Sequence, residues 1–306
     1  MSRRLVPAFA ALILVSAAIP LFSPAQASAR QRVTAAPHVM VIMLENRGYD
    51  GTLASCSSDP YLCSLASQYT SMTKWTGVRH PSLPNYLATT TGSTQGCTSD
   101  VCFGPDGGTS LGGQLTTAGV PWTAYMESMP SACYTGQWAG GGTKSKALYA
   151  EKHDPFVIMS DVLKNACATH VLPYPGASAL TSALSGSSAP AFVWISPNQL
   201  NDMHTGSVQA GDKWLKANVA PVLASSWFTG GNATVVITMD EDTGSNVGGG
   251  GVIPMVVIRA AARGHGNVAT PGNLYGLLRS IEGRYGLSYL GAAAQAANGD
   301  LSPWFG

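Results

Sequence analysis

Charge is scarce in this chain. Charged side chains make up 11% of the 306 residues, 17 basic against 16 acidic, for a formal net charge of +1. So few cations cannot assemble the broad basic face that holds nucleic acid or an anionic membrane surface. No C-x-x-C pair occurs, which argues against a cysteine-based zinc cluster. Repeats of solenoid period and long linkers are missing too, and the Gly/Ser-rich stretches at 139–145, 176–189 and 244–251 are short enough to be surface loops. Two pattern matches fail for want of context. Residues 108–112, GTSLG, fit G-x-S-x-G, but no apolar strand precedes them to build an esterase elbow. The glycines at 248–251 lack the Lys-Ser/Thr of a phosphate-binding loop.

What is present begins with an export signal. Arg3 and Arg4 lead an apolar run from Leu5 to Phe22, and two A-x-A patterns end at Ala27 and Ala29. A single-pass anchor is the alternative, but Pro7 and Pro20 interrupt the run and no stop-transfer charge cluster follows it. Residues 1–29 are therefore read as cleaved and residues 30–306 as one secreted domain with no transmembrane segment. Ser2-Arg3-Arg4 points to the twin-arginine route. Six cysteines in an exported chain favour disulfides. The short separations pair Cys56 with Cys63 and Cys97 with Cys102, leaving Cys133 for Cys167.

Four apolar runs, 38–44, 191–196, 233–239 and 252–260, read as strands buried on both faces. Between them, helical spacing recurs at 82–91, 155–171, 207–227 and 273–286. The alternation predicts an α/β fold with a mainly parallel sheet. Ligands of open α/β sheets bind beyond the carboxyl ends of the strands, so polar residues that follow strands carry the interest. These are Glu45-Asn46 after the first run, Asn198 to His204 after the second and Asp240-Glu241-Asp242 after the third.

Carboxylate and amide oxygens at two strand ends are the donors that hard or borderline divalent cations take. Three adjacent acids would repel without one, although solvated turn residues remain the plain alternative. Ser82, in His-Pro-Ser-Leu-Pro, stands at the first turn of a helix, where unpaired backbone N–H groups can hold an anion. It is a candidate nucleophile, with an ordinary helix cap as the alternative. His153 and His204 lie in polar contexts suited to a phosphoryl oxygen or a leaving group, or else are structural. His80 is expected to point away from Ser82. Trp122, Tyr125, Tyr134 and Trp138 could line a pocket for a second ester substituent or pack in the core.

The stretches VIMLENRGYD (41–50), HPSLPNYLATTTGS (80–93), KHDPF (152–156), SPNQLNDMHTGSVQAGDKWL (196–215), TMDEDTGS (238–245) and LLRSIEGRYGL (277–287) occur in that order. Together they resemble the bacterial phosphoesterase family, which groups acid phosphatases with phospholipases C and has the alkaline-phosphatase superfamily fold. The resemblance runs from about residue 38 to 290. It implies a three-layer sandwich, a central mainly parallel sheet flanked by helices. It also implies that Glu45, Asn46, Asp240, Glu241 and the Ser82 hydroxyl hold a metal, that Ser82 is the nucleophile, and that His153 and His204 line the phosphate site. Asn85 becomes an oxyanion contact. The family often carries a histidine just before the last helix, and here that place is Leu274. The paired-metal histidines of the wider superfamily are not evident, so one divalent ion (calcium, magnesium, manganese, iron or zinc) is expected. The absence of the extra C-terminal region of the longer phospholipases C favours phosphate monoesters over diesters. A small phosphoester or a phospholipid head group is the implied substrate. A sulfatase is disfavoured because Ser82 lies in no C/S-x-P-x-R motif.

Overall fold

The computed structural model describes residues 1–2, 37–102, 107–260 and 266–305, and residues from Ala35 onward group as one unit. The predicted export signal lies outside the described residues apart from its first two. Eight strands form the main sheet: β1 (His38–Leu44), β2 (Thr70–Met72), β3 (Trp122–Met126), β4 (Val171–Pro173), β5 (Phe192–Ser196), β6 (Ala233–Met239), β7 (Met255–Arg259) and β8 (Gly266–Val268). Their order is β8-β2-β7-β6-β1-β5-β3-β4. Only β7 runs against its neighbours, β6 and β2; the other pairings in this sheet are parallel. The expectation of a mainly parallel α/β sheet holds.

The central strands are apolar along their whole length because helices cover them. Six of the seven residues of β1 and all seven of β6 are buried. Helix α1 (Pro60–Gln68), α2 (Ser82–Thr91), α3 (Leu111–Thr117), α4 (Ala177–Ser185), α5 (Val208–Ala224) and α6 (Leu274–Tyr285) supply much of that cover. α2 packs against α6, while α1 and α4 pack against α5. α2 is buried at all ten positions and stops at Gly92, in the left-handed region at φ 68 with the Leu290 carbonyl where a Cβ would stand. α6 starts at Leu274, capped by Asn273, whose side chain accepts from Tyr275 N.

Three predicted elements differ. The stretch 176–189, expected as a surface loop, carries α4, which buries Leu180 and Leu184 and packs on α5. The run 155–171 is not one helix. It divides into a 3-10 turn Pro155–Val157, a helix Ser160–Asn165, a single turn Cys167–His170 and strand β4. Ala166 leaves helical geometry at φ −139, and Val171 pairs in parallel with Ala124 at the sheet edge. The strand predicted from Val252 begins at Met255, because Pro254 has no N–H to give the ladder; its carbonyl accepts the Thr238 hydroxyl at 2.8 Å instead. The disulfides are Cys56–Cys63, Cys97–Cys102 and Cys133–Cys167, the pairing expected from the separations.

One feature of the sheet places the polar residues. The register of β1 against β6 pairs Leu44 with Met239, and β1 pairs Ile42 with Ile195 of β5. Glu45-Asn46, Asp240-Glu241 and the loop after Ser196 therefore leave the sheet at one edge.

Candidate active site

Glu45 is fully buried, and its backbone N–H donates to the Asp202 carbonyl at 2.8 Å. Asn46 takes a left-handed turn at φ 46, which its short amide side chain tolerates. Its N–H donates to Asp240 Oδ1 at 3.0 Å and its Nδ2 to Glu241 Oε1 at 3.1 Å. The two predicted clusters thus meet. Asp242 turns away, accepting from Thr243 N at 2.6 Å through Oδ1 while its own N–H donates to the Gly250 carbonyl.

Ser82 comes to this cluster from α2. Pro81, not Ser82, holds the cap position, and no side chain caps the helix there. Ser82 is 1% exposed and its hydroxyl points at two carboxylates and an amide: Glu45 Oε2 at 2.9 Å, Glu241 Oε1 at 3.3 Å and Asn46 Oδ1 at 3.5 Å. Asn85 is occupied elsewhere, which revises its predicted part as an oxyanion contact. Its Oδ1 accepts from Val78 N at 2.8 Å and Arg79 N at 3.2 Å, and its Nδ2 donates to the Arg79 and Pro81 carbonyls. Both ends of the amide clamp the segment that leads into Ser82.

The histidine side of the site comes from two loops. His153, 4% exposed, ends the 3-10 turn Glu151–His153. Its ring stacks on Tyr86 of α2 with centroids 5.3 Å apart, and its carbonyl accepts from Ser196 Oγ at 2.7 Å. Nε2 lies 3.2 Å from Glu45 Oε1 and Nδ1 lies 3.5 Å from Asp202 Oδ2. The His204 ring stands 5.9 Å from that of His153, on a loop held by the bond from His204 N to Asp202 Oδ1 at 2.7 Å.

Asp202 falls inside the polar stretch 198–204 without being named there, and two further neighbours, Lys152 and Asp100, paired at 2.9 Å, carry no signal of their own in the sequence. His80 was expected to turn away from Ser82. It does not join the Ser82 hydroxyl, but its Nδ1 lies 2.5 Å from Glu241 Oε2 and its Nε2 lies 2.9 Å from the Ser245 carbonyl. The predicted aromatic lining is mostly core. Trp122 stacks on His170, Tyr125 packs on Tyr174 and Tyr134 on Tyr149, while Trp138 is exposed at a cleft.

The electrostatics divide the carboxylates. Burial alone would raise Glu45, yet His153 and Lys152 bring its pKa down to about 2. Asp240 is pushed well above the usual carboxylate range by burial and then by Glu45 and Glu241. Asp202 is raised by burial and by Glu45, and Glu241 by burial against the opposing pull of His80. His204 is lowered, chiefly by burial. Burial also opposes the charge on His80, but the Ser245 carbonyl and Glu241 outweigh it and raise the ring.

Among the described residues, no three or more His, Cys, Asp or Glu side chains form a metal site by themselves. With the Asn46 amide and the Ser82 hydroxyl added, the set is one of hard oxygen donors, the kind a divalent cation takes. Asp240 Oδ2 is buried without a hydrogen-bond partner, and Glu45 Oε1 has only the His153 ring, 3.2 Å away. Carboxylate oxygens left so are costly unless a ligand satisfies them, so the residues present fit a cation.

The Phosphoesterase family model matches residues 55–288. The chain belongs to this family. The phosphoesterase is 32% identical over 260 residues to the phosphatidylinositol-3-phosphatase of Mycobacterium tuberculosis, covering 85% of this chain and 80% of that one. It is 29% identical over 203 residues to a probable acid phosphatase of Kluyveromyces lactis, spanning 66% of this chain and 47% of the yeast protein, about half its length. Among solved structures it superposes on an alkaline-phosphatase-superfamily protein of Vibrio parahaemolyticus with a TM-score of 0.57 and 11% identity, covering 85% of this chain and 70% of that one. At that identity the likeness shows the fold, which is the one the sequence motifs implied. Family membership makes the phosphoesterase a hydrolase of phosphoric esters.

Proposed function

We propose that this chain is an exported, cation-dependent phosphate monoesterase, a single domain once residues 1–29 are removed, in which Ser82 is the nucleophile. The observation that carries the reading is the Ser82 hydroxyl, buried at the start of α2 and directed at Glu45 rather than at the helix backbone it could have capped. Relatives named as phosphatases support the reaction class. The three disulfides suit an oxidising compartment, and among the described residues no helix is long and apolar enough to cross a membrane.

Glu45, Asn46, Asp240 and Glu241, with the Ser82 hydroxyl, would hold one divalent cation. When bound, it supplies Lewis-acid polarisation of the serine and phosphoryl oxygens. The remaining work falls to the chain. Asn85 fixes the backbone before Ser82, so the hydroxyl is held for attack in line with the leaving alcohol. At the α2 N-terminus the Leu83 N–H already donates to Asp100 Oδ1 and Pro84 has none, so the helix end offers the phosphoryl group its dipole rather than a row of free donors. Ser82 Oγ forms the new bond to phosphorus as the ester P–O bond breaks, and the serine proton passes to a facing carboxylate. His204, or His153 beside it, protonates the departing alcohol oxygen. Water then attacks the phosphoserine and releases phosphate. Asp202 keeps both histidines in place.

The test is release of p-nitrophenol from p-nitrophenyl phosphate and, in parallel, from p-nitrophenyl phosphorylcholine, with and without chelator. Chelator-sensitive turnover of the monoester supports the reading. Preference for the diester would replace it with a phospholipase C-type activity, and silence on both across pH and added metals would overturn it.

A further inference from the structure

Next to the Ser82 site the surface opens into a cleft of about 250 Å³ whose walls include Asp100, Trp138, Lys144, Lys152 and Gln199. These walls come from three segments, and each segment is tied to the site. Asp100 accepts from the N–H of Leu83, the residue after Ser82, at 3.0 Å, and its other oxygen pairs with Lys152 Nζ at 2.9 Å. Lys152 immediately precedes His153. The Gln199 carbonyl accepts from Thr205 N and Gly206 N at 2.9 and 3.1 Å, closing the loop that carries His204. A phosphorylated alcohol with its phosphorus at Ser82 therefore meets this cleft.

The outer wall is a hairpin. Trp138–Ala139 pairs antiparallel with Tyr149–Ala150, and between them Gly140, Gly141 and Gly142 turn at φ 75, 67 and 77. Residues with a Cβ rarely take such angles, so the run of glycines is what lets so short a loop fold back. It delivers the 3-10 turn Lys144–Lys146 to the rim. Two groups there are left over by the fold. Trp138 keeps 37% of its surface exposed. Lys144 is exposed and has no acidic partner among the described residues, whereas Lys152 is already matched by Asp100. The cleft thus offers an uncompensated cation beside an aromatic face. Its volume lies below the roughly 300–1,000 Å³ of drug-sized sites, which suits an alcohol the size of a sugar.

We propose that this cleft is the alcohol site and that it selects phosphate monoesters whose alcohol carries a second anionic group, phosphate or carboxylate, at Lys144, with its apolar side against Trp138. The proposal rests on the phosphatase reading above, so the test reads the two separately. Phosphate release by the mature protein would be followed from p-nitrophenyl phosphate, glucose 6-phosphate, 6-phosphogluconate and glucose 1,6-bisphosphate. We expect kcat/KM for one or both doubly anionic substrates to exceed that for glucose 6-phosphate by about fivefold or more. Lys144→Gln, which removes the cation without adding a repelling charge, should shrink that advantage far more than it changes glucose 6-phosphate, and Lys144→Arg should retain it. A gain for the bisphosphate alone would make the second group a phosphate, and a gain for both would make it any anion. Turnover with no preference in the wild type, or an equal change on every substrate in Lys144→Gln, would overturn the alcohol site alone. No turnover of any of the four would remove the phosphatase reading and this proposal with it.

Discussion

Two sets of carboxylates in this molecule make the same group do different things. Glu127 is saturated: it accepts from Asn198 N at 2.9 Å, from Asn201 Nδ2 at 3.0 Å and from Trp214 Nε1 at 3.1 Å. Asp212 likewise accepts from Tyr61 N and Leu62 N at the start of α1. These acids hold a loop and a helix end. At the carboxyl edge of β1 and β6, by contrast, Asp240 keeps a buried oxygen with no hydrogen-bond partner, and one oxygen each of Glu45 and Asp202 faces only the His153 ring, at 3.2 and 3.5 Å. Unsatisfied buried acceptors cost stability, and burial with like-charge neighbours raises Asp240 and Asp202. Asp59, Glu151 and Glu282 also carry unpartnered buried oxygens, but at the edge of β1 and β6 such acids stand together with the Asn46 amide and the Ser82 hydroxyl, a set that a ligand would complete.

That contrast breaks most visibly at Ser82. Ser82→Ala should lower turnover of p-nitrophenyl phosphate by ~10⁴-fold or more while the protein melts as before. Wild-type kinetics in this variant would remove the nucleophile. Next comes Asp240→Asn. Turnover should fall by ~10²-fold or more, yet the chelated variant should melt no lower than chelated wild type, because the amide relieves the repulsion from Glu45 and Glu241. A clear drop in melting temperature under chelation would place Asp240 with the saturated acids instead.

Glu127→Ala sharpens the other side. It strips the acceptor from three donors, so urea unfolding should show a loss of about 2–3 kcal/mol, with a smaller effect on turnover than either site variant. Unchanged stability would contradict the structural assignment. The smallest effect is expected at Glu282 in α6, whose pKa burial pushes up to about 8 from 4.5. The folded chain keeps a proton that the unfolded chain releases. Stability from this group is therefore full below about pH 4.5 and is lost as pH rises towards 8. Glu282→Gln should flatten that decline, by about 1 kcal/mol at pH 9, measured as unfolding free energy against pH.

Much of the fold was legible because buried parallel strands are simply apolar. The ranges of β1, β6 and α2 match the predicted runs, 38–44, 233–239 and 82–91. β3 and α3 were not read, since Trp122 to Met126 mixes polar with aromatic residues and α3 carries two glycines, Gly112 and Gly113, in its first turn. The run 155–171 misled because its apolar residues are all wanted inside, so their spacing resembles a helix although Cys167 is tied to Cys133 and Val171 joins the sheet. At the site, residues that follow strands were legible by position. Asp202 lay within such a stretch, but its part came only with its contact to His153; Asp100 and Lys152 were not legible, because their significance lies in contacts across the fold, Asp100 to the α2 N-terminus and Lys152 to Asp100. Asn85 was placed correctly in sequence but its amide faces the backbone, a matter of side-chain direction that spacing does not carry.

The most direct test is a melting curve, not an assay. Chelated protein would be titrated with calcium, magnesium, manganese, iron and zinc in turn, wild type beside Asp240→Asn. A cation bound by the unsatisfied oxygens stabilises the folded state by about 2.7 kcal/mol at 100 times its dissociation constant. A cation site at these oxygens gives a concentration-dependent rise in melting temperature for at least one cation in the wild type and little or none in Asp240→Asn. No rise with any cation, or the same rise in both proteins, would contradict it.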